Sequence, residues 1–67
     1  MALYWEFSHE IVLALRATYP NTDVETLGIT QLHQMIVTLP NFKDDPGAGY
    51  DDLLEDILGE WYEEVNT

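Results

Sequence analysis

The stretch DDLLEDILGEWYEE, residues 51–64, decides the fold of this chain. Its apolar residues recur at the i, i+1, i+4, i+5 spacing that gives a helix one broad apolar face. They are Leu53, Leu54, Ile57, Leu58, Trp61 and Tyr62. We therefore predict an amphipathic helix over about 51–64 whose apolar face belongs to a core. Gly59 lies inside this helix, where glycine costs about 1 kcal/mol relative to alanine.

The same stretch carries most of an acidic block that contains no Lys or Arg. Nine of the thirteen acidic residues of the chain form this block: Asp44, Asp45, Asp51, Asp52, Glu55, Asp56, Glu60, Glu63 and Glu64. Like-charged i,i+4 pairs such as Asp52–Asp56 each cost roughly a few tenths of a kcal/mol in a helix. A formal charge of -11 over 67 residues also opposes compactness. We therefore infer that the acidic block has a binding function. The two obvious ligands are a cation and a basic protein surface.

Two further helices and one single helical turn are predicted upstream. Ser8 as N-cap and Pro20 as terminator bound a first helix with an apolar stripe. Asp23 caps a single turn that Gly28 ends. Thr30 as N-cap and Pro40 as terminator bound a second helix. The two apolar stripes are Ile11, Val12, Ala14, Leu15 and Tyr19 in the first helix, and Leu32, Met35, Ile36 and Leu39 in the second.

These elements predict an all-α fold, a small three-helix domain that spans residues 1–67 as a single unit. Residues 40–50 form the one real loop, and Phe42 is predicted to pin it to the core. The core of so short a chain is thin, and the absence of cysteine excludes disulfides and thiolate zinc sites. We therefore expect marginal stability, which a bound partner would raise.

The composition also argues against several classes of function. Arg16 and Lys43 are the only basic residues besides the two histidines, so no face can neutralise nucleic-acid phosphates or anionic lipid. No segment approaches the roughly 18 apolar residues of a membrane span. The start MALYWEFSHE does not resemble a signal peptide, and we expect a cytoplasmic protein. With no cysteine nucleophile, G-x-S-x-G elbow or glycine-rich phosphate loop, we predict that the protein is not an enzyme.

Three interpretations of the acidic block remain open from the residues alone. It is a solvated face, a weak oxygen-only site for a divalent cation such as magnesium, calcium, manganese or ferrous iron, or a docking face for a basic protein. EF-hand spacing is absent. His33 is interpreted as structural and His9 as solvated, because neither has a partner histidine at ligand spacing. We expect Trp5 and Trp61 to be buried, with Trp5 the better candidate for a contact surface.

Considered as a whole, the chain resembles the IscX family, small acidic proteins of bacterial iron–sulfur cluster assembly. L-Y-W near the start is followed in order by S-x-E-I-x-x-A-L, Y-P-x-x-D, T-x-x-H-Q, F-x-D-D-P and E-x-I-L-x-x-W. These motifs begin at Leu3 and end at Trp61, so they span almost the entire chain without gaps. Two positions depart from the pattern, with Met35 where tryptophan is frequent and Phe7 where an acid is frequent.

This resemblance implies a modified winged-helix-like fold, weak binding of ferrous iron and binding to the cysteine desulfurase IscS. It further implies an iron-dependent adaptor or modulator of cluster assembly, with other assembly components as further partners. The predicted metal ligands are Asp44, Asp45, Asp51, Asp52, Glu55 and Asp56, of which Asp51, Asp52 and Asp56 rest on local charge density alone. The predicted partner-binding residues are Trp5, Glu60, Glu63 and Glu64. Glu64 also matches the family pattern, so it is carried over for iron or partner contact alike.

An alternative is an acidic DNA mimic or regulatory interaction domain without iron binding. A short helix, a glycine break and a longer helix resemble a helix-turn-helix in outline. The longer segment, GITQLHQMIVTL, contains no Lys or Arg, so it cannot read DNA directly. A mimic that occupies the nucleic-acid site of another protein remains physically possible.

Overall fold

The computed structural model describes residues 2–66, and its regular structure is helical. Its α-helices are α1 (Ser8–Thr18), α2 (Ile29–Val37) and α3 (Asp51–Val65), with short 3-10 turns at Val24–Thr26 and Pro46–Ala48. Extended pairing in this part of the chain is limited to an isolated parallel bridge between Leu3 and Phe42. The all-α, three-helix prediction is confirmed. The winged-helix-like detail stays a prediction.

Helix α3 organises the core, because α1, α2 and the first 3-10 turn all pack against it. Its buried residues are Leu54, Ile57 and Trp61, spaced at i, i+3 and i+7 on one side of the helix. Trp61 is the largest fully buried side chain, with 1% of its surface exposed. The predicted burial of both tryptophans is confirmed, since Trp5 is 3% exposed.

The N-caps predicted for α1 and α2, Ser8 and Thr30, are both wrong. Helix α1 begins at Ser8 itself, with Phe7 as N-cap and no side-chain cap bond. The Ser8 hydroxyl instead donates to Glu60 at 3.2 Å, a tertiary contact that outcompetes local capping. Helix α2 begins at Ile29 with Gly28 as N-cap, and the Gly28 carbonyl accepts its first helical bond from Leu32.

Helices α1 and α2 both end before the prolines that were predicted to terminate them. Helix α1 ends at Thr18, as the position of Pro20 predicts. Helix α2 ends at Val37, three residues before Pro40, so Pro40 is not its direct terminator. The Thr38 hydroxyl donates back to the carbonyls of Gln34 and Met35 and closes the last turn. The predicted Asp23 cap is confirmed, since its carboxylate accepts from the Glu25 amide at 3.1 Å.

Trp5 ties the loop after α2 to the core. Its indole N–H donates to the Asp45 carbonyl at 2.8 Å. Its ring stacks on His33 with centroids 5.6 Å apart and meets Phe42 edge-on at 5.0 Å. The prediction that Phe42 pins the loop to the core is therefore confirmed, with Trp5 as the side chain it packs against.

Two glycines give opposite expectations when each is replaced by alanine. At Gly49 an added Cβ would lie 2.5 Å from Cζ2 and 2.6 Å from Cη2 of Trp5, a ring held by burial and a hydrogen bond. Gly49→Ala is therefore expected to cost about 1–3 kcal/mol through overpacking. At Gly59 a Cβ meets nothing within 4 Å. Gly59→Ala is expected to gain about 1 kcal/mol from helix propensity. Urea unfolding of both variants checks this pair, and equal midpoints would contradict it.

Candidate docking surface on the third helix

The face of α3 opposite the core carries three carboxylates in one row. Asp52, Asp56 and Glu63, here called the outer stripe, stand at i, i+4 and i+11, and Gly59 fills the i+7 position between them. All four residues are exposed. Within residues 2–66, the three stripe carboxylates have no hydrogen-bond or ion-pair partner. The stripe is therefore a charged surface that the fold itself does not use.

The remaining acids near the end of α3 face α1 and are paired with it. Glu60 accepts from the Ser8 hydroxyl, and its Oε2 lies 3.0 Å from Nδ1 of His9. Glu64 accepts from Nη1 of Arg16 at 3.0 Å. These contacts offset the unfavourable position of Glu60 and Glu64 at the negative end of the helix dipole. Such exposed pairs contribute only about 0–1 kcal/mol, so a partner can displace them.

Asp44 and Asp45 shape the loop before α3. The two carboxylate oxygens of Asp44 accept from the backbone amides of Trp5 at 3.0 Å and Asp45 at 2.7 Å. The Asp45 carboxylate accepts from the Gly47 amide at 2.9 Å. The sequence prediction made Asp44 and Asp45 metal ligands and did not include these hydrogen bonds to the loop backbone. The Asp-Pro-Gly sequence was the available signal, because aspartate before such a turn bonds to the backbone two residues on.

The predicted metal ligands do not form a ready-made site. Among residues 2–66, no three acidic or histidine side chains converge closely enough to hold a metal ion. Asp44 and Asp45 lie in the loop, whereas the other predicted ligands are distributed around the first turns of α3. Their carboxylate oxygens suit ferrous iron chemically, but they are not gathered around one point. Metal binding by these residues stays a prediction.

The contacts of the two histidines and of Trp5 define their roles. His33 donates from Nε2 to the Pro46 carbonyl at 2.7 Å and stacks on Trp5, which is the structural role expected for it. The His9 side chain is 56% exposed and borders Glu60. Trp5 is so deeply buried that it presents almost no surface to a partner. Trp5 affects the protein surface only indirectly, because it holds the loop after α2 in place.

A groove beside the outer stripe was not visible in the sequence. It runs between the 3-10 turn Val24–Thr26 and α3, and we call it the Gly59 groove. Its apolar floor consists of Val24, Leu58 and Gly59, the ring of Tyr62 forms one wall, and its rim carries the carboxylates of Glu25, Glu55 and Glu63. The Tyr62 hydroxyl donates to Glu25 at 3.3 Å across the groove. This pairing of turn and helix depends on tertiary packing, which no local pattern encodes.

No helix within residues 2–66 has both the length and the apolar character needed to cross a membrane.

Comparison with known proteins identifies the family of this chain. A family model described as iron-sulphur cluster assembly matches residues 3–66. An uncharacterized protein of Pseudomonas aeruginosa is 34% identical over 64 residues, which cover 96% of this chain and 97% of that protein. The chain therefore belongs to the iron–sulfur cluster assembly family that its motifs resemble, the IscX family.

Proposed function

We propose that this protein is a non-enzymatic accessory factor that docks on the cysteine desulfurase IscS through the outer stripe of α3. In this role it acts as an iron-dependent adaptor or modulator of cluster assembly and binds ferrous iron weakly. Membership of the family supports the process. The unpartnered carboxylates of Asp52, Asp56 and Glu63 are the observation that carries the docking proposal.

The energetics of the stripe favour a use outside the fold. Asp52 and Asp56 repel each other at i,i+4, as do Asp56 and Glu60. Glu63 lies in the last turns of α3, where the helix dipole disfavours negative charge. None of these costs is offset by a contact of the stripe within the described residues. A basic partner surface would remove the repulsion and accelerate the encounter.

The proposed binding of ferrous iron is weak. Carboxylate oxygens are suitable ligands for ferrous iron, and the acids of α3 and of the preceding loop are dense enough to attract it. Because no three of them converge in the described structure, the protein does not offer a closed cage. Binding that depends mainly on local charge density is expected to weaken as salt is added.

Titration of the desulfurase with this protein tests the docking proposal. We expect binding at low salt that weakens as the ionic strength rises, because exposed charges are screened. Desulfurase activity and cluster formation are then measured with and without the protein across iron concentrations. These measurements give the direction of its effect on the desulfurase and on cluster formation. Absence of binding at low salt would reject the proposal.

A ferrous titration followed by NMR tests the iron part separately. We expect resonances between Asp44 and Asp56 to shift or broaden, since the acids of the loop and of the first turns of α3 lie there. Potassium chloride at the same ionic strength is the control for general charge screening. If no resonance in this region responds to iron, metal binding is rejected while docking stands.

A further inference from the structure

The Gly59 groove combines an apolar floor with an acidic rim. Leu58 is half-buried at its base, the ring of Tyr62 forms one wall, and Glu55 and Glu63 lie along its rim on α3. Tyr62 is 42% exposed, so part of its ring is open to the groove. The groove is continuous with the outer stripe, because Glu63 belongs to both.

Gly59 keeps the floor of the groove open. Glycine is among the least favourable residues inside a helix. Gly59 does not have a positive φ, and an added Cβ would meet nothing within 4 Å. Neither backbone conformation nor packing therefore requires glycine at this position. What glycine does provide is an open floor, since Gly59 lines the groove and any side chain on it would enter that open space.

We propose that the Gly59 groove receives the side chain of one arginine from the docking partner. This inference rests on the proposed docking and deepens it by naming the anchor. The arginine methylene groups lie on Leu58 and on the α3 backbone at Gly59, and the guanidinium group lies beside the Tyr62 ring. The carboxylates of Glu55 and Glu63 then neutralise its charge.

The chemistry of the groove selects this occupant over others. An aliphatic or aromatic anchor would cover the floor but would desolvate the carboxylates of the rim without pairing them. Lysine supplies charge as a compact, strongly hydrated ammonium that lacks a planar face for Tyr62. Arginine matches the apolar floor, the aromatic wall and the acidic rim with a single side chain.

A small probe isolates the groove from the rest of the interface. Acetyl-arginine amide is titrated into the isotope-labelled protein and compared with acetyl-citrulline amide, which has nearly the same shape but no charge. We expect the arginine probe to shift the amide resonances of Leu58, Gly59 and Tyr62, and the citrulline probe to leave them in place. Equal shifts with both probes, or no shift with arginine, would overturn the proposal.

Filling the groove tests the same point in the full complex. Gly59→Leu places a side chain on the floor without changing charge, and Gln31→Leu adds the same side chain to an exposed position on α2 as the control. We expect Gly59→Leu to abolish the arginine-induced shifts and to weaken desulfurase binding about tenfold. The melting temperature is expected to rise, so that unfolding cannot explain the loss. Gln31→Leu is expected to change neither the shifts nor the binding.

The two proposals fail in distinguishable ways. If wild-type protein and Gly59→Leu bind the desulfurase equally, the groove proposal is overturned and docking through the stripe stands. If the wild-type protein does not bind the desulfurase, the docking proposal is rejected and the arginine probe alone decides whether the groove recognises guanidinium.

Discussion

Trp61→Ala is expected to leave about half or more of the molecules unfolded at room temperature. The side chain is 1% exposed and lies on the helix that organises the core. Truncating a buried tryptophan costs about 3–5 kcal/mol, which equals the roughly 3–5 kcal/mol that so small a core supplies. Far-UV circular dichroism and urea titration measure the loss.

The neighbouring position provides the control for this variant. Tyr62→Ala removes an aromatic ring from the next residue of the same helix, but that ring is 42% exposed and makes one long hydrogen bond of 3.3 Å to Glu25. We expect it to cost no more than about 1 kcal/mol. Equal unfolding midpoints for the two variants would contradict the placement of Trp61 in the core.

Asp56→Asn combined with Glu63→Gln is expected to weaken desulfurase binding at least about tenfold at low salt while slightly stabilising the fold. Binding falls because two carboxylates of the outer stripe are lost, and the salt dependence of binding should become shallower. Stability rises because the change removes the repulsion of Asp56 by Asp52 and Glu60 and relieves the dipole at Glu63, each worth roughly a few tenths of a kcal/mol. Calorimetric titration and thermal melts measure the two effects.

A charge-matched variant separates location from net charge. Glu6→Gln combined with Glu10→Gln also removes two negative charges, but from the start of α1 and the segment before it. We expect less than a threefold change in affinity, roughly the size of a screened long-range effect. If both double variants weaken binding equally, only the total charge matters and the outer stripe is not the docking site.

The outline of the fold could be predicted because apolar periodicity encodes it locally. The spacing of Leu54, Ile57 and Trp61 predicts both the existence of α3 and its buried side. Tyr62, which was predicted to share this apolar face, is instead 42% exposed. Helix starts were less predictable, because Ser8 contacts Glu60, a residue 52 positions away in the sequence. A residue that is a suitable N-cap by local rules was recruited by tertiary structure instead.

The candidate site, like the fold, could be predicted only in part. Repeated acids at helical spacing predict a charged face on α3, and the structure places Asp52, Asp56 and Glu63 in one exposed row. The loop aspartates were harder to interpret, since Asp44 bonds to Trp5 across 39 residues of sequence. The Gly59 groove also depends on where the turn at Val24–Thr26 packs. From the sequence alone, Gly59 is recognisable only as a residue that lowers the stability of the helix.

Mapping of the desulfurase contact by NMR locates the docking surface on this protein. The isotope-labelled protein is mixed with unlabelled desulfurase at low salt, and the broadening of each amide resonance is followed as salt is added. For docking through the outer stripe we predict that broadening centres on Asp52, Asp56, Gly59 and Glu63, and that it diminishes at high salt. Broadening confined to the exposed face of α2, or unaffected by salt, would contradict docking through the outer stripe.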